Sequence, residues 1–200
     1  MTPEVTPATA SDRAPIAETL KEAFVDDPLA IWMLPDERSR PGRMLRQFDV
    51  ELRVVYLPLG TVWTTSDNRG AAVWRPPGRI PTMTVLRAIP EELRALGLKA
   101  LGSSFTVARV MPRFPKQPYW YLHGLGVRTA DQGKGIGSAL LRPVLDRCDD
   151  SGLPAYLITA TQPNIAFYSR HGFEVTNETQ VPHSGPRIWT MWRDPRNGPE

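Results

Sequence analysis

Residues 131–137 read Asp-Gln-Gly-Lys-Gly-Ile-Gly, and their three alternating glycines constrain the fold more than any other feature of the chain. Glycine repeated in this way costs chain entropy and helix propensity, so the pattern needs a use. A Gly-rich turn from a strand into a helix gathers backbone N–H groups at the positive end of a helix dipole. Phosphate is the usual occupant of such a place. A Walker loop would need a glycine five positions before Gly133 and a Ser or Thr after Lys134, and neither is present. A dinucleotide fingerprint needs G-x-G-x-x-G, whereas Gly133, Gly135 and Gly137 give G-x-G-x-G. Gln132 to Gly137 instead satisfies Q/R-x-x-G-x-G/A at every position. The bland alternative is a Gly-rich turn that holds nothing.

The flanks fit that placement. Tyr119 to Val127 is aromatic and aliphatic and predicts a strand. The stripe Ile136, Leu140, Leu141, Val144, Leu145 and Cys148 predicts a helix, in which Pro143 should cause a kink. Pro154 to Thr161 predicts the next strand. Asn164 to His171 predicts a short helix stopped by Gly172, and Phe173–Thr176 and Arg187–Arg193 predict closing strands. Strand, loop, helix and strand in succession make an α/β unit with a crossover connection.

Upstream, a strand is expected near Glu4–Ala8. A helix follows, N-capped by Ser11 and ended at Asp26-Asp27-Pro28. A second helix is expected from about Gly42 to Val55. Thr61–Thr65 and Ala71–Arg75 around Asp67-Asn68-Arg69-Gly70 predict a hairpin, and residues 84 to 109 predict helix in pieces broken at Pro90, Gly97 and Gly102.

With 200 residues, 41% of them apolar and 22% charged, the chain suits one globular domain over 1–200 and not wholesale disorder. No apolar run approaches the roughly 20 residues of a membrane-spanning helix, and no secretory leader is visible, so a cytoplasmic location and no membrane partner are expected. The net charge of +3 is dispersed, without the clustered basic and aromatic residues of a nucleic-acid groove. The single cysteine, Cys148, can form neither an internal disulfide nor a Cys-based zinc site, and no metal is expected.

On the loop together with Leu122-His123-Gly124-Leu125-Gly126-Val127 and Asn164-Ile165-Ala166-Phe167-Tyr168-Ser169-Arg170-His171-Gly172-Phe173, the sequence resembles the GNAT superfamily of N-acetyltransferases. The resemblance is strong over about 119–193, the expected cofactor-binding core. It is weaker over 1–118, the expected acceptor side. It implies an α/β (α+β) GNAT fold, with a mixed central sheet splayed between two central strands and helices on both faces. It also implies acetyl-CoA as cofactor, with its pyrophosphate on Gln132, Gly133, Lys134, Gly135, Ile136 and Gly137. The pantetheine arm would lie along the main chain of Leu125 and Val127, with Asn164 close by. Tyr168 falls where the family places a phenol beside the sulfur, and can protonate the departing thiolate. Length, loop and Gly185-Pro186-Arg187 are similar to the puromycin N-acetyltransferases, which carry a glutamate where this chain has Ile158.

His123 stands two residues before Leu125, where serotonin N-acetyltransferases also carry a histidine. It is the candidate base, and the alternative is a packed strand histidine. Asp26 and Asp27 either end the first helix or line the acceptor side. Trp63 and Trp74 are expected as core or edge cover, and His171 and His183 as surface or loop residues. The function expected is acetyl transfer from acetyl-CoA to a primary amine of a small molecule, an antibiotic or aminonucleoside-like acceptor among the candidates. It would proceed by direct attack in a ternary complex, in a monomer or homodimer. A CoA-binding sensor, or a protein or peptide N-acetyltransferase, is the alternative.

Overall fold

The computed structural model describes residues 3–78, 81, 83–84, 86–97 and 115–196. Seven strands form one sheet: β1 (Val5–Pro7), β2 (Val62–Thr65), β3 (Gly70–Arg75), β4 (Trp120–Val127), β5 (Ala155–Thr159), β6 (Glu174–Gln180) and β7 (Arg187–Arg193). Their order is β1-β2-β3-β4-β5-β7-β6, and every neighbouring pair is antiparallel except β4–β5. A parallel pair needs a crossover, supplied here by the helix α5 (Ile136–Ser151). Its buried stripe is Ile136, Leu140, Leu141, Val144, Leu145 and Cys148, the residues expected from their spacing, and the helix continues through Pro143. That stripe packs on Ala72, Trp74, Leu122, Ala155, Leu157, Phe173 and Met191 to form the larger core.

The other face carries α1 (Arg13–Phe24) and α3 (Arg40–Glu51). Ile16, Ala17 and Leu20 of α1 meet Leu52, Val55, Tyr56, Val62, Ala71 and Val73. Close approach depends on small residues in the strands. A Cβ built on Gly126 would lie 2.9 Å from Ala23 Cβ and 3.0 Å from Leu20 Cδ2, and one built on Gly124 would lie 3.8 Å from Phe24 Cζ. A short helix, α2 (Pro28–Met33), follows α1. Asp27 is its N-cap, accepting from the Leu29 N–H at 2.8 Å and the Ala30 N–H at 3.3 Å. Residues 86–97 form α4, and α6 (Gln162–Ser169) follows β5.

Several boundaries differ from expectation. Thr9, not Ser11, begins the first helical segment, because the Asp12 carboxylate reaches back to the Thr9 N–H at 2.8 Å and the Thr9 hydroxyl at 2.7 Å. A short 3₁₀ turn over Ala10–Asp12 leads into α1. Helix α4 continues through Pro90, which gives up one helical hydrogen bond without ending the run, and Gly97 takes φ +77°. The break expected at Gly102 lies outside the described residues. Strand β6 extends to Gln180, well beyond Thr176, because β7 pairs with it from Glu174 to Gln180, with a bulge at Thr176, despite its polar composition. Trp74 is fully buried, and Trp63 packs against the same core with Arg147 over its ring, so both serve as core or edge cover.

Two irregularities shape the centre of the molecule. Helix α3 runs into a π-helical turn over Leu52–Tyr56, closed by Leu57 N–H to Leu52 O at 2.9 Å. In β4, Gly124 pairs with Val73 and Leu122 with Trp74, so His123 is an extra, bulged residue. The clearance at Gly126 predicts that Gly126→Val, which would force α1 off β4, destabilises the fold by about 2 kcal/mol. Urea unfolding checks this, and an unchanged midpoint would show that α1 does not depend on that contact.

Candidate active site

Strands β4 and β5 pair over three positions only, Trp120↔Ala155, Tyr121↔Tyr156 and Leu122↔Leu157. Beyond them β4 stays paired with β3 as far as Val127↔Gly70, while β5 stays paired with β7 as far as Thr159↔Trp189. The sheet therefore splits between its two central strands. The Arg128 N–H donates to Arg69 O at 2.9 Å, which makes that pair a hydrogen-bonded one. Antiparallel alternation then turns the N–H and C=O groups of Val127 and Leu125 away from β3 and into the split. The Gln132 side-chain amide caps one of them, donating to Val127 O at 3.3 Å.

The glycine loop closes the wide end of the split. Gly133 and Gly135 have φ of +76° and +80°, which glycine adopts without strain, and Gly135 is the N-cap of α5. A Cβ at either would meet no protein atom within 4 Å, so the outer side of the loop is open. Gln132, Gly133, Lys134 and Gly135 are exposed, and Ile136 is buried as the first anchor of the helix. Beneath the loop, buried Asp131 accepts from Lys134 Nζ at 2.8 Å and from Arg69 Nη1 at 3.2 Å. Those bonds, that of Lys134 foremost, hold its carboxyl below the usual range. Phe167 of α6 packs 3.2 Å from where a Gly137 Cβ would stand. His171 is not a bare surface residue: its Nε2 lies 3.0 Å from Ser138 Oγ, and burial, then the nearby arginines, hold its ring below the usual value. An open cradle of main-chain N–H groups at a helix N-terminus, beside an unpaired strand edge, fits a diphosphate with an extended amide-bearing arm.

On the α1/α3 face, His123 Nε2 lies 2.9 Å from Glu51 Oε2. Tyr56 of the π turn stacks on the imidazole, with centroids 4.7 Å apart and planes 27° apart, and Tyr121 meets its edge at 6.2 Å. Arg75 lies over the Tyr121 ring at 4.9 Å. Burial raises the phenols of Tyr56 and Tyr121 well above the usual tyrosine value and keeps both neutral. Glu92 of α4 is half-buried, and its carboxyl is pushed up to about 8, by burial first and then by Glu51 and Glu91. None of Glu51, Tyr56 and Glu92 was singled out from the sequence. Their partners are distant in the chain, and only the spacing of Tyr121 two places before His123 on one strand offered a signal.

Tyr168 of α6 is buried against Phe167 and Phe173. Its phenol is raised above the usual value, by burial first and then by Asp27 and Tyr121, so it keeps its proton. Tyr121 thus lies in reach of both Tyr168 and His123. Asn164 is exposed in the first turn of α6. Asp26 is exposed, whereas Asp27 uses one oxygen as the α2 cap and the other to accept from Thr161 Oγ1 at 3.0 Å. Ile158 packs with Leu29, Trp32, Val181 and Ile188. His183 lies in the β6–β7 loop, where its carbonyl accepts from Trp32 Nε1 at 3.2 Å. Cys148 is fully buried and its thiol is pushed up to about 12, which leaves no thiolate for nucleophilic work. A separate cavity of about 500 Å³ opens between α1, α3 and α4, and its lining includes neither His123 nor the loop.

Residues 91–173 match the acetyltransferase (GNAT) family. An uncharacterized N-acetyltransferase of Schizosaccharomyces pombe is 29% identical over 180 residues, 82% of this chain and 71% of that protein. A solved structure described as histone acetyltransferase HPA2 and related acetyltransferase, from Corynebacterium glutamicum, superposes with a TM-score of 0.77 at 25% identity. It covers 98% of this chain and 97% of that one. Arylalkylamine N-acetyltransferase 2 of Aedes aegypti shares the fold, with a TM-score of 0.60 at 13% identity over 96% of this chain and 98% of that one. The split between β4 and β5 and the glycine loop fall within the matched segment, and the chain is similar to acetyltransferases of the GNAT type.

The raised Glu92 carboxyl has a consequence for stability. It binds its proton more tightly in the folded chain than in the unfolded one. Its effect is therefore most favourable below the unfolded glutamate value and is lost as pH rises through about 8. Glu92→Gln is expected to raise the melting temperature at about pH 9 and to change it little at about pH 4.5. Equal shifts at both pH values would show that this carboxyl carries no such penalty.

Proposed function

We propose that the protein transfers the acetyl group of acetyl-CoA to a primary amine of a small molecule, by direct attack in a ternary complex. The observation that carries this reading is the parting of β4 from β5 beside an open glycine cradle, with His123 bulged out of β4 at the same place. Acetyl-CoA supplies an activated thioester carbonyl. The main-chain N–H groups of about Gly133 to Gly137 bind the pyrophosphate, flanked by Gln132 and Lys134, with Ile136 anchoring the turn. Leu125 and Val127 pair with the pantetheine through the groups aimed into the split, and Asn164 faces it from α6. One of the β4 amides donates to the thioester oxygen as negative charge gathers there.

The amine nitrogen attacks the carbonyl carbon, His123 takes the proton the nitrogen loses, the C–S bond breaks, and Tyr168 gives its proton to the thiolate. The protein thereby uses a base and an acid on opposite sides of the split. Buried Cys148 supports direct transfer over an acetyl-cysteine route. Glu51, Tyr56 and Tyr121 surround His123 with rings and a carboxylate, an environment that suits a cationic amine. The likeness to puromycin N-acetyltransferases does not extend to their acceptor chemistry, because Ile158 stands in an apolar cluster where those enzymes carry a glutamate. Asp27, engaged as a cap, contributes to the acceptor side through its field at Tyr168.

Gly135→Asp is expected to weaken CoA binding by roughly tenfold or more, since it places a like charge at the helix N-terminus. Gly135→Ala serves as the control for backbone strain at positive φ. Titration calorimetry showing equal CoA affinity in the Asp variant and the parent would remove the loop from the cofactor site. His123→Ala should lower kcat by roughly 10²-fold, and Tyr168→Phe should reduce kcat more than CoA affinity. Both are read by thiol release over a panel of aminonucleosides, aminoglycosides, polyamines, amino acids and peptides. If CoA binds and no amine in the panel releases thiol, the sensor reading replaces the enzyme reading.

A further inference from the structure

We infer that Glu51 is a positioning residue for proton transfer, holding His123 as its Nε2–H tautomer so that Nδ1 is the atom that takes the amine proton. The inference rests on the reading of His123 as the base. A carboxylate can only accept, so the 2.9 Å contact between Glu51 Oε2 and His123 Nε2 requires the proton on Nε2. The lone pair of the neutral ring then lies on Nδ1, which has no partner among the described residues. Once Nδ1 is protonated, the same carboxylate stabilises the imidazolium.

Both central backbone irregularities, the π turn and the β4 bulge, serve this contact. The bulge turns His123 and Gly124 toward the same face, that of α1 and α3, and Gly124 offers no side chain to compete with the imidazole. The π turn begins at Leu52, directly after Glu51. Five residues along an α-helix, at about 100° each, would leave Tyr56 roughly 140° around the axis from Glu51. A turn closed by i→i+5 bonds advances by only about 80° per residue, which brings Tyr56 back to within roughly 50° of Glu51. One turn therefore delivers both the hydrogen-bond acceptor and the stacking ring to one imidazole. Glu51 and His123 side chains are 15% and 29% exposed, so solvent competes little at the carboxylate and the ring keeps an open edge.

The charged and titratable groups around the ring come from several elements. Glu51 is contributed by α3, Tyr56 by the π turn, Tyr121 by β4, Arg75 by β3 and Glu92 by α4. The two tyrosines are neutral through burial, and Glu92 holds its proton near neutral pH. Arg75 acts over the Tyr121 ring. Glu51 is thus the carboxylate bonded to the base.

The test is the pH profile of kcat/KM for the amine in the parent, Glu51→Gln and His123→Ala. Glutamine keeps size and polarity but not charge. It should move the acidic limb to lower pH and cut kcat roughly tenfold, with CoA affinity unchanged. A Glu51→Gln limb that coincides with the parent's, while His123→Ala abolishes it, overturns the role of Glu51 and leaves His123 as base. A limb that survives His123→Ala overturns the base reading itself. Should the glutamine variant fail to fold, the parent decides: ¹⁵N NMR of labelled histidine at about pH 8.5 should show a protonated Nε2 and a bare Nδ1 at His123, and the reverse tautomer overturns the proposal.

Discussion

The three-residue pairing of β4 with β5 is the constraint on which the rest of the structure depends. Backbone N–H and C=O groups are obligatory hydrogen-bonding groups, so two central strands do not part without cost. Each keeps its other neighbour: β4 runs on with β3, and β5 runs on with β7. The inward-facing groups of β4 are left over along the split, at an edge that a ligand with its own amides can complete. The halves are held together elsewhere, by α5, whose apolar stripe touches residues of β3, β4, β5 and β7 at once. A continuous core beneath the split lets the sheet be open between β4 and β5 without coming apart.

The opposite face is governed by the absence of side chains. Ala71, Gly124 and Gly126 let α1 lie almost against the strands, with Leu20, Ala23 and Phe24 above them. This close packing fixes the height of α1, and α3 packs beside it. The π turn that ends α3 then reaches the bulge in β4. The irregular backbone at both places costs regular hydrogen bonding, and the two irregularities meet at one imidazole.

Local patterns in the sequence carried the second half of the fold. The α5 stripe is one apolar residue at each helical return, and β7 occupies Arg187–Arg193 as its alternation and aromatics imply. The loop was legible because glycine at positive φ has no substitute at Gly133 and Gly135. Edge strand β6 was less so: Thr176 to Gln180 are polar, and only the partner strand makes them extended. The cap at Thr9 was hidden because Ser11 and Asp12 offer equally good local chemistry, and geometry alone chooses between them. Glu51 and Tyr56 could not be read at all. Nothing in residues 40–56 announces a π turn, and the contact with His123 spans 72 positions.

The proposed acid and base roles rest on environments more than on residue types. Tyr168 sits on the β5 side of the split, packed among Phe167, Phe173 and the α5 core, where an anion would be poorly solvated. Desolvation and the nearby Asp27 both favour the neutral phenol, so the group enters the reaction protonated and cannot remove a proton from an amine. His123 sits on the β4 side, partly open, with a carboxylate on one nitrogen. An imidazolium there is offset by Glu51, whereas a phenolate at Tyr168 would face Asp27. In the proposed reaction the imidazolium at His123 is the charge the site holds, beside Glu51, while a phenolate at Tyr168 is short-lived, because burial and Asp27 both disfavour it.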